Sequence, residues 1–245
     1  MKEFSKEFLK NKKVIIFDFD GTLADTVGIW NEVDFKAIKE MSGKEVNLDT
    51  IQKERDRVLL ENKDKSVYEF YTKYLVEKYG IKYSLDYVIK RRREIANEYI
   101  IKEINYKENA DIVLKKLKQL GFILALATTT AKRTIDKYNN ENKNLVAKAK
   151  FDETFDLILS NDDVKEKKPS PEIYLKILEK LNVKKEDCLV VEDSLEGVTS
   201  AKLAEIEVVN IPDSYSKENQ DKIDEITDFK INDFGEFLKY LNEKD

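Results

Sequence analysis

The chain of 245 residues contains no histidine. That excludes every nucleophile–imidazole pair and every zinc site built on imidazole. A single cysteine, Cys188, leaves no disulfide framework and no thiolate metal cluster. Seven glycines and three prolines are too few for flexible linkers or low-complexity tails. The longest strongly apolar run near the middle, Phe122 to Ala127, is far short of the roughly 20 residues of a membrane span. The charged, discontinuous Met1–Lys13 segment does not read as a signal peptide. An excess of one charge is missing too. With 44 basic and 49 acidic side chains, nothing draws the chain to nucleic acid or an anionic membrane, and neither is expected as a partner. What remains is chemistry by carboxylates, lysine, hydroxyls or an oxygen-bound metal, in a protein expected to be cytoplasmic and monomeric.

Short apolar runs at Val14–Phe17, Phe122–Ala127, Leu189–Val191 and Glu207–Ile211, with a weaker one at Leu157–Leu159, read as buried parallel strands. Helical patterns separate them. Asp111–Leu120 places Ile112, Val113, Leu117 and Leu120 on one face before the Gly121 stop. Ser170 as N-cap and Pro171 at the first position open another helix, with Ile173, Tyr174, Ile177, Leu178 and Leu181 on its buried face. The alternation predicts an α/β fold, a doubly wound, Rossmann-like parallel sheet. Residues 25–105 differ: no strand pattern, many Lys, Glu and Tyr, and helical spacing such as Val67, Phe70, Tyr71, Tyr74 and Leu75 before Gly80. They are expected to form an all-helical insertion between two parts of the core, 1–24 and 106–245, with hinges near 25 and 105.

Polar residues cluster where the strands end. Asp18 and Asp20, two apart at the end of the first strand, project to one side, where open α/β sheets bind ligands. An Asx-type turn at Asp20-Gly21 explains the pair equally well by itself. A calcium loop does not, because Thr22 and Leu23 stand at its required ligand and glycine positions. Thr128-Thr129-Thr130 could hold phosphate oxygens, or simply suit a strand end. Lys168, restrained by Pro169, either reaches a site or belongs to a solvated run with Lys165 and Lys167. Glu192-Asp193-Ser194 ends a further strand, where acids also serve as helix caps. Four independent bland explanations at four strand ends of one sheet are less economical than one active site.

These segments resemble the four motifs of the haloacid dehalogenase superfamily, in that family's order: Asp18-Phe19-Asp20-Gly21-Thr22-Leu23-Ala24-Asp25-Thr26, Thr128, Lys168-Pro169-Ser170-Pro171-Glu172, and Glu192-Asp193-Ser194-Leu195-Glu196-Gly197. The resemblance implies that the insertion is the helical cap of the phosphatase and phosphoglucomutase branch. It implies Asp18 as the nucleophile that forms an aspartyl-phosphate, which agrees with the chemistry a carboxylate can do at phosphorus. Mg²⁺ would be held by Asp18, the Asp20 carbonyl and Asp193, neutralising charge so that the carboxylate can approach. Lys168 would offset further charge, Thr128 and the Thr129 N–H would bind a phosphoryl oxygen, and Glu192 would orient the groups around them. Asp20 would protonate the leaving oxygen and then activate water. A leaving alkoxide needs that proton and a halide does not, so the second Asp points to phosphoesters, with a small phosphorylated metabolite as substrate.

Three activities fit this pattern: a phosphatase, a phosphohexomutase, or a non-catalytic module that binds a phosphometabolite. Related mutases carry a cap histidine five residues after the Asp-Thr pair, where this chain has Trp30, which disfavours the second. Filled catalytic positions disfavour the third. Trp30 either stacks on a sugar or packs at the edge of the core. Arg91-Arg92-Arg93 could meet a second anion, with two of the three expected in solvent. Helix 67–79 is read as the insertion's core. Lys132 stands where many relatives carry Asn, and Cys188 is expected to be a small core residue.

Overall fold

The computed structural model describes residues 4–26, 28–61 and 67–242. The chain divides into two compact units, Met1–Thr26 with Ile104–Asp245, and Val27–Glu103.

The first unit is built on a six-stranded, wholly parallel sheet: β1 Val14–Phe17, β2 Ile123–Ala127, β3 Leu157–Leu159, β4 Cys188–Glu192, β5 Glu207–Asn210 and β6 Phe229–Lys230. Their order is β3-β2-β1-β4-β5-β6. β1 is buried at all four positions, as expected of a strand covered on both faces. The chain winds outward from β1 to β3 and then crosses back to β4, so the topological switch lies between β1 and β4. Register fixes what meets there. Phe17 pairs with Leu126 on one side and Val191 on the other, so Asp18, Ala127 and Glu192 come level at the carboxyl edge.

Several boundaries move from their sequence positions. β2 starts at Ile123 because the Phe122 N–H donates back to Leu117, closing the preceding helix turn at 3.1 Å. β4 runs one residue further at each end than Leu189–Val191. β5 ends at Asn210, although the Ile211 N–H still reaches the Glu192 carbonyl at 2.9 Å. The helix Ala110–Gln119 buries Ala110, Val113, Leu114 and Leu117, the i, i+3, i+4, i+7 set. The expected face was wrong at its ends: Ile112 and Leu120 are exposed. The second helix read from the sequence is Glu172–Leu181, flanked by Pro171 rather than started by it; Ser170 Oγ accepts from the Glu172 N–H at 3.4 Å. Ile173, Tyr174 and Ile177 are buried, while Leu178 and Leu181 pack partly exposed against the same core.

The second unit contains four helices among the described residues, Ile29–Ser42, Leu48–Glu61, Val67–Tyr79 and Leu85–Lys102. Val33, Ala37, Ile38, Ile51, Tyr71, Leu75, Val88 and Ile95 form its apolar core. Phe70, read as part of that core, is 44% exposed, and the side chain of Val67 lies outside the described residues. A charged knot crosses the core. Arg92, 2% exposed, donates through Nε and a terminal nitrogen to Asp34 Oδ1 at 3.0 and 2.6 Å. Arg55 takes the other Asp34 oxygen and donates to Asn31 Oδ1 at 2.6 Å. Of the arginine run, therefore, Arg92 is internal, Arg91 is bonded to Glu40 at 2.7 and 2.9 Å, and Arg93 is exposed. Trp30 is 41% exposed and meets the Tyr68 ring edge-on at 5.9 Å.

Candidate active site

Asp18 is 6% exposed, and its N–H continues the sheet ladder to Val191 at 3.0 Å. Its Oδ1 accepts from Lys168 Nζ at 2.8 Å. Lys168 arrives on a loop, joined to Pro169 by a cis peptide, and its ammonium also donates to Glu192 Oε1 at 2.5 Å and the Ala127 carbonyl at 2.9 Å. All three donors of that ammonium are thereby engaged across three strand ends. The run Lys165–Lys168 is thus not uniformly solvated, since the Lys168 side chain is 3% exposed.

Glu192 is held from below and above. Its Oε2 accepts from the N–H groups of Asp193 and Ser194 at 3.0 and 3.2 Å, and from the Ser194 hydroxyl at 3.1 Å. These sit at the start of the helix Leu195–Leu203, where Ser194 Oγ accepts from the Gly197 N–H at 3.0 Å. Gly197 is required there: a Cβ would lie 1.8 Å from Glu192 Oε1. Asp193 is bracketed by two hydroxyl donors, Thr22 to Oδ1 at 2.7 Å and Ser216 to Oδ2 at 3.2 Å. Gly21, at φ +88°, passes so close that a Cβ would meet Asp193 Oδ2 at 2.5 Å. Asp20 takes a different pair of donors. Its Oδ2 accepts from the hydroxyls of Thr128, at 3.3 Å, and Thr130. Thr128 is buried, accepts from the Thr130 N–H at 3.0 Å, and stands beside an exposed Thr129.

Carboxylate oxygens of Asp18, Glu192 and Asp193 lie within 4.8 Å of one another, all buried. Burial, aided by Glu192, Asp193 and Asp20, pushes the Asp18 carboxyl well above the usual range against the pull of Lys168. Asp193 is pushed up to about 7, by burial first and Glu192 second. Burial works against the charge of Lys168 too, but Asp18 and Glu192 outweigh it and hold the ammonium protonated. One ammonium among three carboxylates leaves the cluster short of positive charge. An all-oxygen donor set with that deficit fits a hard divalent cation.

The chain matches the family model for haloacid dehalogenase-like hydrolases over residues 15–211, which spans the sheet edge just described. It belongs to the haloacid dehalogenase-like hydrolases. A relative in this family, named a phosphorylated carbohydrates phosphatase of Thermotoga maritima, is 34% identical over 80% of this chain and 82% of that protein. Among solved structures, a Thermotoga maritima protein provisionally named a beta-phosphoglucomutase superposes with a TM-score of 0.76 at 27% identity, covering 94% of this chain and 98% of that one. CbbY from Rhodobacter sphaeroides, in complex with phosphate, shares the fold with a TM-score of 0.65 at 24% identity, covering 95% and 100%.

Some of this hydrolase's site was not read from the sequence. Thr130 was grouped with its neighbours as a phosphate holder, and its bond to Asp20 has no signal in a Thr run. Tyr174, read only as core, places its hydroxyl 3.3 Å from Glu192 Oε1. Asp213 follows the end of β5 at the same distance as Asp20 follows the end of β1, so the strand-end rule could have found it. Lys107, which donates to Asp213 at 2.6 Å, carried no signal at all. Lys132, set aside as a departure, uses its N–H to bond Asp162 at 2.7 Å.

Proposed function

We propose that this hydrolase is a Mg²⁺-dependent phosphatase that removes phosphate from a small phosphorylated carbohydrate through an aspartyl-phosphate. The observation that carries the reading is Lys168 locked onto Asp18 within a carboxylate cluster deficient in positive charge. Asp18, Asp193 and the Asp20 backbone carbonyl would hold the cation, Glu192 being committed to Lys168 and the helix start. When bound, Mg²⁺ neutralises charge on the phosphoryl oxygens and on the carboxylate that approaches them.

The chain's own residues supply the rest. Lys168 restrains the rotation of Asp18 through Oδ1, so that the carboxylate is presented in line with the phosphorus. A bond forms from Asp18 oxygen to phosphorus as the bond to the leaving oxygen breaks, and Asp20 delivers its proton to that oxygen. Water then attacks the phosphorus, Asp20 takes the water's proton, and inorganic phosphate leaves with the Asp18 carboxylate restored. Thr128 and Thr130 hold Asp20 through one oxygen, leaving the other for the proton. The exposed Thr129 N–H would steady a phosphoryl oxygen, joined by the Thr128 hydroxyl once its single donor turns from Asp20, which Thr130 continues to hold. The inserted helical unit would act as the cap that selects the substrate.

A phosphohexomutase is the second reading, favoured by the 27% identity to the provisionally named beta-phosphoglucomutase. A chain without histidine lacks the side chain that related mutases use on the sugar hydroxyl. Parallel assays of inorganic phosphate and of glucose 6-phosphate, from glucose 1-phosphate isomers with a bisphosphate primer, separate the two. Phosphate release that outruns isomerisation is expected, and the reverse would make the enzyme a mutase. A panel of sugar phosphates, phosphoglycolate and nucleoside monophosphates, assayed with and without Mg²⁺, tests the substrate class.

A further inference from the structure

Asp193 can serve as a fixed ligand only if its two oxygens are oriented, and two separate loops do this. Thr22, on the loop after β1, donates to Oδ1; Ser216, on the segment after β5, donates to Oδ2. One side chain ties those loops together. Lys107 Nζ donates both to the Gly21 carbonyl and to Asp213 Oδ2, the latter at 2.6 Å. The pair is enclosed, with 21% of the Lys107 side chain and 4% of the Asp213 side chain exposed.

Each end of this tie organises a turn. Asp213 Oδ1 accepts from the Tyr215 N–H at 2.9 Å, and its carbonyl accepts from the Ser216 N–H at 3.2 Å, so Asp213 shapes the segment that carries the Ser216 hydroxyl. At the other end the Gly21 N–H donates to Ala24 at 2.9 Å, so both sides of Gly21 are held. The Lys107 backbone N–H donates to the Leu23 carbonyl at 2.8 Å, and Tyr106 bridges Ala24, which seats the lysine against the loop it serves.

We infer that Lys107, acting through Asp213 and Ser216, is a positioning residue that presents the Asp193 carboxylate to the cation. The inference rests on the cation site proposed above. Lys107 touches neither the cation nor the substrate. Its removal would free the Gly21 carbonyl and the Ser216 segment together, leaving Thr22 as the remaining restraint on Asp193. A ligand that spends only part of its time in the competent rotamer binds more weakly by that fraction, so a competent fraction of about one tenth raises the Kd about tenfold.

Isothermal titration of Mg²⁺ into chelator-treated full-length protein tests this. Lys107→Met keeps the apolar stem and removes the donors; its Kd is expected to rise about tenfold, while Lys107→Arg, which can still bridge, stays near wild type. At saturating Mg²⁺ the KM for the phosphate ester is expected to be unchanged in Lys107→Met. A Kd within about twofold of wild type in Lys107→Met, even with a lowered Tm, would make Lys107 merely structural and overturn the inference. If Lys107→Met does not fold, Ser216→Ala decides by the same titration: a severalfold weaker Kd supports the relay and an unchanged one refutes it. Failure of the wild-type protein to bind Mg²⁺ would instead overturn the cation site itself, and the inference with it.

Discussion

Each of the two units buries charge, and the balance of signs is opposite. At the carboxyl edge of the sheet, Asp18, Glu192 and Asp193 crowd around the ammonium of Lys168. In the helical unit, the guanidinium groups of Arg55 and Arg92 share the carboxylate of Asp34. The arginine knot is closed by neutral partners as well: Asn31 accepts from Arg55 at 2.6 Å, and Thr72 accepts from Arg92. Removing one partner from such a knot strands a buried charge. The carboxylate cluster is different, because its charges repel. Burial and like charge push Asp18 and Asp193 upward, which supports the proposal that this cluster takes a cation.

The largest expected effect breaks the sheet-edge side of this contrast chemically. Asp18→Asn keeps the shape but has neither a nucleophile nor a hard-cation ligand, so phosphate release is expected to fall by at least about 10³-fold with the fold retained. Activity close to wild type in a Mg²⁺-replete assay would remove the covalent step.

Carboxylate-to-amide changes in the two units should then have opposite signs in stability. Asp34→Asn leaves Arg55 and Arg92 without their counter-charge and is expected to cost about 3–5 kcal/mol in urea denaturation. Asp193→Asn relieves repulsion and is expected to raise the Tm of the metal-free protein at pH 8 while weakening Mg²⁺ binding. Destabilisation by both would mean that the two clusters are structural knots of one kind.

A smaller effect sharpens the assignment of Asp20. Thr130→Val removes one of the two hydroxyl donors to its Oδ2. About a tenfold loss of kcat with an altered pH profile is expected, and an unchanged profile would separate Thr130 from proton transfer. The smallest effect belongs to the helix Ala110–Gln119. Ile112→Lys, at an exposed position, should change stability by less than about 0.5 kcal/mol, against about 2–5 kcal/mol for Leu117→Ala in its buried face.

What the sequence made legible follows range. Strands β1 to β5 were visible because each is a short apolar run, Asp18, Asp20, Glu192 and Asp193 because they sit at or just past strand ends, and Lys168, on a loop well beyond β3, because Pro169 follows it. The two-residue β6, Phe229–Lys230, and the helix Lys6–Lys10 are too short to show a period. The Ala110–Gln119 face was misread by including Ile112 and Leu120 and passing over Ala110 and Leu114, which complete the i, i+3, i+4, i+7 set. Lys107 and Arg92 were illegible for a further reason. Each looks like an ordinary basic residue in a charged stretch, and only the fold brings Asp213 and Asp34, distant in sequence, to meet it.

The most direct test of the account is the Tm of the wild-type protein from pH 5 to 8, with chelator and with Mg²⁺. Asp193 carries a carboxyl raised from 3.8 to about 7, so the folded state holds the proton more tightly than the unfolded chain. That contribution is complete below about pH 4 and is lost as pH rises through about 7. Glu172, lowered to about 2, acts only below its ordinary range and leaves the window above pH 5 undisturbed. The metal-free Tm is therefore expected to fall as pH rises from 5 to 8, and the gain from Mg²⁺ to grow over the same interval. A metal-free Tm that rises with pH, or a gain from Mg²⁺ that is absent or independent of pH, would contradict the reading of the carboxylate cluster as a cation site.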